Sequence, residues 1–130
     1  MFLDASAIVS ILTLEDDHRN LASRLDAAER PITSALAIYE AGLAVARKKR
    51  VVLESATEEI ENFLQRIEAR VLPIEFGTAR LALAAQAAFG KSAGHPARLN
   101  MGDCFAYAMA KQHGVPLLYK GDDFAQTDLA

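Results

Sequence analysis

Four short apolar runs, set between longer stretches with helical spacing, constrain this chain more than any other feature. Phe2-Leu3, Pro31-Ile32-Thr33, Val71-Leu72-Pro73-Ile74 and Val115 to Tyr119 have strand length and are almost uniformly apolar. A strand apolar on both faces must be covered on both, which is the condition of a parallel sheet flanked by helices. The segments between them supply those helices. Ala5 to Leu14 and Asp17 to Ala28 read as the first two, the latter with Leu21 and Leu25 one turn apart. Ser34 is placed to cap a third, which ends in the basic run Arg47 to Arg50, where cations complement the helix dipole. Leu53 to Ile67 is the clearest amphipathic helix, with Leu53, Ala56, Thr57, Ile60, Phe63, Leu64 and Ile67 along one face. Glu75 to Phe89 is an Ala-rich helix, and Gly102 to Gln112 the last. The expected architecture is therefore α/β, a three-layer sandwich with a short, mainly parallel β-sheet flanked by helices. Pro73 marks its strand as an edge or a strand end. With 130 residues and no linker, repeat or low-complexity segment, residues 1–130 form a single domain.

Several function classes lack their residues. The net charge of −3 is not that of a polycation that clings to nucleic acid, so any phosphate substrate needs local basic groups or a metal. The single cysteine, Cys104, excludes a disulfide framework and reads as buried core. No phosphate-loop, dinucleotide-binding or serine-hydrolase motif is present, and His18, His95 and His113 share no metal-ligand spacing. The apolar stretch Ala5–Leu14 is too short to span a bilayer, and it follows Asp4 rather than a basic segment. A cytoplasmic protein without a membrane anchor is expected.

Against this background, a few acids stand where burial is expected. Asp4 ends the first apolar run, Glu40 interrupts an apolar helix, Asp103 opens the run Cys104 to Ala110, and Asp122-Asp123 follow the last strand. An unpaired carboxylate in apolar surroundings neutralises, finds a donor or binds a cation. Each has a purely structural alternative. Asp4 can cap the following helix, and Asp103 can sit in a helix first turn behind Asn100. Glu40 can pair with a basic neighbour, and Asp122 and Asp123 can serve a turn. Their joint placement points instead to a carboxylate cluster that holds a hard divalent metal, since ligands in parallel sheets gather beyond the carboxyl ends of the strands. Two basic segments flank these acids: the Arg47–Arg50 run, and Lys91, His95 and Arg98 around a Gly/Pro loop.

The segments Leu3-Asp4-Ala5-Ser6, Ser34-Ala35 with Glu40, Leu99-Asn-Met-Gly-Asp-Cys104 and Lys120-Gly-Asp-Asp-Phe124 occur in order along the whole chain. Together they resemble PIN-domain ribonucleases, and within them the VapC toxins of bacterial toxin–antitoxin pairs. The resemblance implies catalytic acids at Asp4, Glu40, Asp103 and Asp123, with Asp4, Glu40, Asp103 and Asp122 or Asp123 as metal ligands. It also matches Ser6 to a small polar residue beside the first carboxylate, which with Arg47 and Arg98 makes the expected substrate-binding set. Asp122 stands where such proteins often carry Asn, so either member of the Asp122–Asp123 pair remains open as the fourth acid. The family implies Mg²⁺ or Mn²⁺, RNA as substrate, a homodimer, a small cognate antitoxin protein, and contact with DNA only through that antitoxin. Two other classes compete: a receiver-type phosphoacceptor module, and a PIN-like binding subunit of a DNA-regulating complex. A receiver needs paired acids at the first strand end and a phosphorylatable Asp on a central strand. Here Asp4 stands alone, and Lys120 is the only match.

Overall fold

The structure, a computed structural model, describes all 130 residues. Its four strands are β1 (Phe2–Leu3), β2 (Ile32–Thr33), β3 (Arg70–Val71) and β4 (Leu117–Leu118). All pair in parallel, in the order β3-β2-β1-β4, with Phe2 opposite both Ile32 and Leu117 and Leu3 opposite Leu118. The six helices are α1 (Ala5–Leu12), α2 (His18–Asp26), α3 (Ala35–Lys49), α4 (Leu53–Arg66), α5 (Phe76–Phe89) and α6 (Met101–His113). The expected α/β sandwich is present, and its sheet is wholly rather than mainly parallel.

Side chains of adjacent strand residues point to opposite faces, so the central strands β1 and β4 each feed both layers. Phe2, Ile32 and Leu117 pack on one face with Ala82, Ala85, Leu99, Ala106 and Met109, from α5, α6 and the loop between them. Leu3 and Leu118 pack on the other with Ile8, Leu21, Leu25, Ile60 and Phe63, from α1, α2 and α4. Helix α3 reaches both cores, through Ala37 on the first side and Ala41 and Val45 on the second. It also packs against α6, which allows it to carry a side chain toward the start of that helix.

Local chemistry sets most of the boundaries. Ser34 caps α3, its hydroxyl accepting from Ala37 N–H at 3.2 Å, and Gly114 ends α6 in the left-handed conformation with φ 62°. Four expectations are corrected. Helix α1 stops at Leu12 rather than Leu14, because Leu14 turns into the left-handed region at φ 54° and its side chain is exposed. Helix α6 begins one residue earlier than expected, at Met101, because Asn100 caps it. Strand β3 is Arg70–Val71 and not Val71–Ile74; Pro73 lies beyond it, and both strand residues are exposed at the sheet edge. On α4, Leu53 and Thr57 face solvent, while Ala56, Ile60, Phe63 and Leu64 close the protein's own core. No helix is long and apolar enough to cross a membrane.

Candidate active site

The strand order reverses at β1, whose neighbours are β2 on one side and β4 on the other. Beyond the carboxyl ends of β1 and β4, the chain diverges into a helix and a loop, which leaves a crevice at the switch point. Asp4 is the first residue after β1, and Lys120 is the second residue after β4. The two segments are stitched together: Asp4 N–H donates to the Leu118 carbonyl at 3.0 Å, and Lys120 N–H donates to Ser6 Oγ at 2.9 Å. Ser6 in turn donates both its hydroxyl and its N–H to Asp4 Oδ2. Asp4 is 5% exposed.

The structural alternative for Asp4 is therefore correct as far as it goes: it is the N-cap of α1. Both Ser6 donors fall on the same oxygen, Oδ2, and the Ala5 backbone adds a further hydrogen bond to the carboxyl. Asp103 is also a capping residue. It forms a capping box with Asn100, accepting Asn100 N–H on Oδ2 at 3.1 Å while Asn100 Oδ1 accepts Asp103 N–H at 2.9 Å, and its side chain also meets that of Asp123. The caps fix the orientation of both carboxyl groups.

Glu40, the sixth residue of α3, is half-buried and makes no ion pair and no hydrogen bond, so pairing with a basic neighbour does not explain it. Its carboxylate lies directly against Gly102, in the first turn of α6. Asp123 precedes Phe124, whose ring is buried in the core and packs edge-on against Tyr119 at 5.0 Å. That anchor brings Asp123 close enough for its charge to act on both Asp4 and Asp103. Asp122 and Asp123 are both exposed, but only Asp123 acts by its charge on Asp4 and Asp103.

The electrostatics are those of acids crowded without a counter-charge. Burial pushes the Asp4 carboxyl above its usual range, against the pull of the Ser6 donors, and Asp123 adds to the rise. Asp103 is pushed up to about 7, by desolvation first and then by the charges of Asp123 and Asp4. Glu40 is raised by desolvation and by Asp4. Charge thus couples Asp4 to the other three acids, although they arrive from four separate segments. In this conformation no three of the side chains close into a metal-enclosing group. That fits repelling carboxylates, and it fits a hydrated cation that takes one or two direct protein oxygens and keeps several waters.

A cleft of about 460 Å³ adjoins the acids, lined among others by Ser6, Glu15, Glu40, Arg47, Lys48 and Lys120. Of the expected substrate-binding set, Ser6 and Arg47 line this cleft together with Glu40. Arg98 is exposed on the loop before α6 and does not line this cleft. Glu15 and Lys120 were missed as cleft residues. Glu15 bridges Lys48 and Lys120, and Asp17 stands 3.8 Å from Lys120. No local pattern announces these pairs, because Glu15 lies 33 positions from Lys48 and 105 from Lys120. Gly102 was also missed as anything beyond a helix-start residue. The receiver-type alternative fails on the sheet: β3 is an exposed edge strand, and the residues after it, Leu72-Pro73-Ile74, carry no acid.

The PIN domain family profile matches residues 1–129. A VapC ribonuclease of Rhizobium meliloti (strain 1021) is 42% identical over 139 aligned positions, covering 98% of each chain. A VapC ribonuclease of Mycobacterium tuberculosis (strain ATCC 25618 / H37Rv) is 41% identical, over 98% of this chain and 93% of its own. Another, from Mycobacterium bovis, is 34% identical over 99% and 96% respectively.

Proposed function

The chain belongs to the PIN-domain family, and from that premise we propose that it is a metal-dependent endoribonuclease acting as the toxin of a toxin–antitoxin pair. The observation that carries the reading is the set of Asp4, Glu40, Asp103 and Asp123 at the sheet's switch point, where Asp4, Glu40 and Asp103 are raised in pKa and each feels the charge of another acid of the set, with no cation of the protein's own among them. Such a set is costly to ionise alone and favours a hard cation with oxygen ligands. Mg²⁺ or Mn²⁺ would be held by the carboxylates of Asp4 and Asp103, with Glu40 and Asp123 as further or water-mediated ligands. Bound there, the ion would supply positive charge against a phosphodiester and a lowered pKa for an attacking water.

The protein's own groups divide the remaining work. Ser6 and Asn100 fix the orientation of Asp4 and Asp103. Glu40 has no hydrogen-bond partner and a raised pKa, so it is the acid free to accept a proton from the attacking water. Hydrolysis then forms one bond from water oxygen to phosphorus, breaks the bond to the leaving oxygen, and returns a proton to that oxygen. Arg47, Lys48 and Lys120 line the approach and draw the RNA backbone toward acids that would otherwise repel it. Ser6 and Arg98 complete the proposed substrate contacts, Arg98 from the far side of the Asn100 turn.

By the same reading the protein acts in the cytoplasm, is inhibited by a small cognate antitoxin and meets DNA only through it. It forms a homodimer through the exposed face of α5, where Phe76 and Leu83 are 78% and 71% exposed. Helix α4 offers little of such a surface, because its apolar face is largely consumed by the protein's own core. The test is RNA cleavage by the antitoxin-free protein in Mg²⁺ or Mn²⁺ against EDTA. Equal rates in both would overturn the metal mechanism.

A further inference from the structure

We propose that Gly102 is a positioning residue for Glu40: the missing side chain at the second position of α6 is the space in which the Glu40 carboxylate lies. A Cβ at residue 102 would fall 2.1 Å from Glu40 Oε2 and 2.5 Å from both Cδ and Oε1. Non-bonded carbon and oxygen do not approach so closely, so any other residue at 102 excludes Glu40 from its observed place. The two other glycines within helices provide the contrast. A Cβ at Gly42 or Gly77 would meet nothing nearer than 3.9 Å and 4.0 Å. Backbone conformation does not demand glycine either, since Gly102 is helical and is not among the glycines with positive φ. Glycine is a poor helix former, so its presence here works against local stability. What remains is the close approach of α3's acid to the first turn of α6.

The atoms that an added methyl would meet are the far end of a flexible side chain, not backbone. The clash therefore resolves by expelling the Glu40 carboxylate, while α6 stays folded and gains in helix propensity. Gly102 touches no substrate and holds no proton; it acts through Glu40. The inference rests on the proposed role of Glu40 in the acid cluster.

The experiment is a cycle of wild type, Gly102→Ala, Glu40→Ala and the double variant. Mn²⁺ affinity, RNA cleavage in Mn²⁺ and thermal melting are measured for each. Gly102→Ala should melt at or above the wild-type temperature yet lose about tenfold or more in cleavage rate or Mn²⁺ affinity, the scale of displacing a site's supporting shell. In the Glu40→Ala background the same substitution should change neither by more than about twofold, because the residue it displaces is gone. Shortening the acid, Glu40→Asp in the Gly102→Ala protein, should restore part of the loss by withdrawing the carboxylate from the new methyl. Equal losses in both backgrounds, or wild-type behaviour of Gly102→Ala, would overturn the proposal. If Gly102→Ala fails to fold, folding of the double variant supports it and failure of both refutes it. A wild type that binds Mn²⁺ without cleaving RNA refutes the nuclease reading and leaves the affinity cycle to decide this one. If it binds no Mn²⁺, crystals of Gly102→Ala decide, and a Glu40 carboxylate left in place overturns the inference.

Discussion

Replacing Asp103 by Asn should make the protein more stable at pH 8 and leave its stability unchanged near pH 4. The folded protein raises this carboxyl from 3.8 to about 7. The native state therefore keeps the proton to higher pH than the unfolded chain does. Between about pH 4 and 7 the native state binds more protons, so stability falls as pH rises, and above 7 the loss is constant. At about 1.4 kcal/mol per pKa unit, the ionised side chain costs at most about 4 kcal/mol. Asparagine keeps an acceptor for Asn100 N–H, so the capping box survives, but a neutral acceptor is weaker by roughly 1 kcal/mol than a charged one. With solvent screening of the neighbouring acids, a net gain of about 1–3 kcal/mol is expected at pH 8, or roughly 5–10 °C in melting temperature. The assay is thermal denaturation in EDTA at pH 4 and pH 8, repeated at pH 8 with Mn²⁺. Wild type should gain stability in Mn²⁺ by mass action, about 2.7 kcal/mol at a hundredfold excess over Kd, and the variant should lose most of that gain. A variant less stable than wild type at pH 8, or equally stabilised at both pH values, would refute the account of Asp103 as a destabilised acid.

Asp4→Asn should abolish RNA cleavage while leaving the α1 cap in place, because an amide oxygen can still accept from Ser6; circular dichroism and a cleavage assay in Mg²⁺ check both halves. Glu15→Gln should cost about 1 kcal/mol or less in urea denaturation at pH 7, since both lysines it bridges are partly exposed. Glu15 is held below its usual pKa by Lys120 and Lys48, so the pair contributes above the unfolded pKa near 4.5 and fades as pH falls; the wild-type and Glu15→Gln curves should converge at pH 3. Arg47→Ala should raise KM for RNA more than it lowers kcat and reduce the salt dependence of binding, as expected of a phosphate contact on the cleft wall. Leu83→Glu, on the exposed face of α5, should shift light scattering from dimer to monomer at micromolar concentration with little change in melting temperature. A wild type that is monomeric to begin with removes that surface from the proposed interface.

The alternation of short apolar runs with helical segments was legible along the chain, and so was the cap of α3 at Ser34, because hydrophobic period and capping are local properties. The strand ends were harder. With two residues per strand, pairing partners rather than composition decide where a strand begins, which is why Arg70 joined β3 and Pro73 did not. The acids at positions 4, 40, 103 and 123 could be named from sequence, since a carboxylate among apolar neighbours is conspicuous whatever surrounds it in space.

What each acid does there was a tertiary question. Sequence offered helix-capping as a structural alternative for Asp4 and Asp103; the structure shows that both do cap, Asp4 through Ser6 and Asp103 through Asn100, with Asp123 close to each. It left Asp122 and Asp123 equivalent, whereas in the fold only Asp123, next to the buried Phe124, acts by its charge on Asp4 and Asp103. The Glu15 bridge to two lysines and the seat of Glu40 on Gly102 join residues far apart in the chain, so no window of sequence contains them. Local pattern determines which residues are unusual and which elements form. Only the packing of α3 against α6, and of β4 beside β1, determines which of those residues share one field of charge.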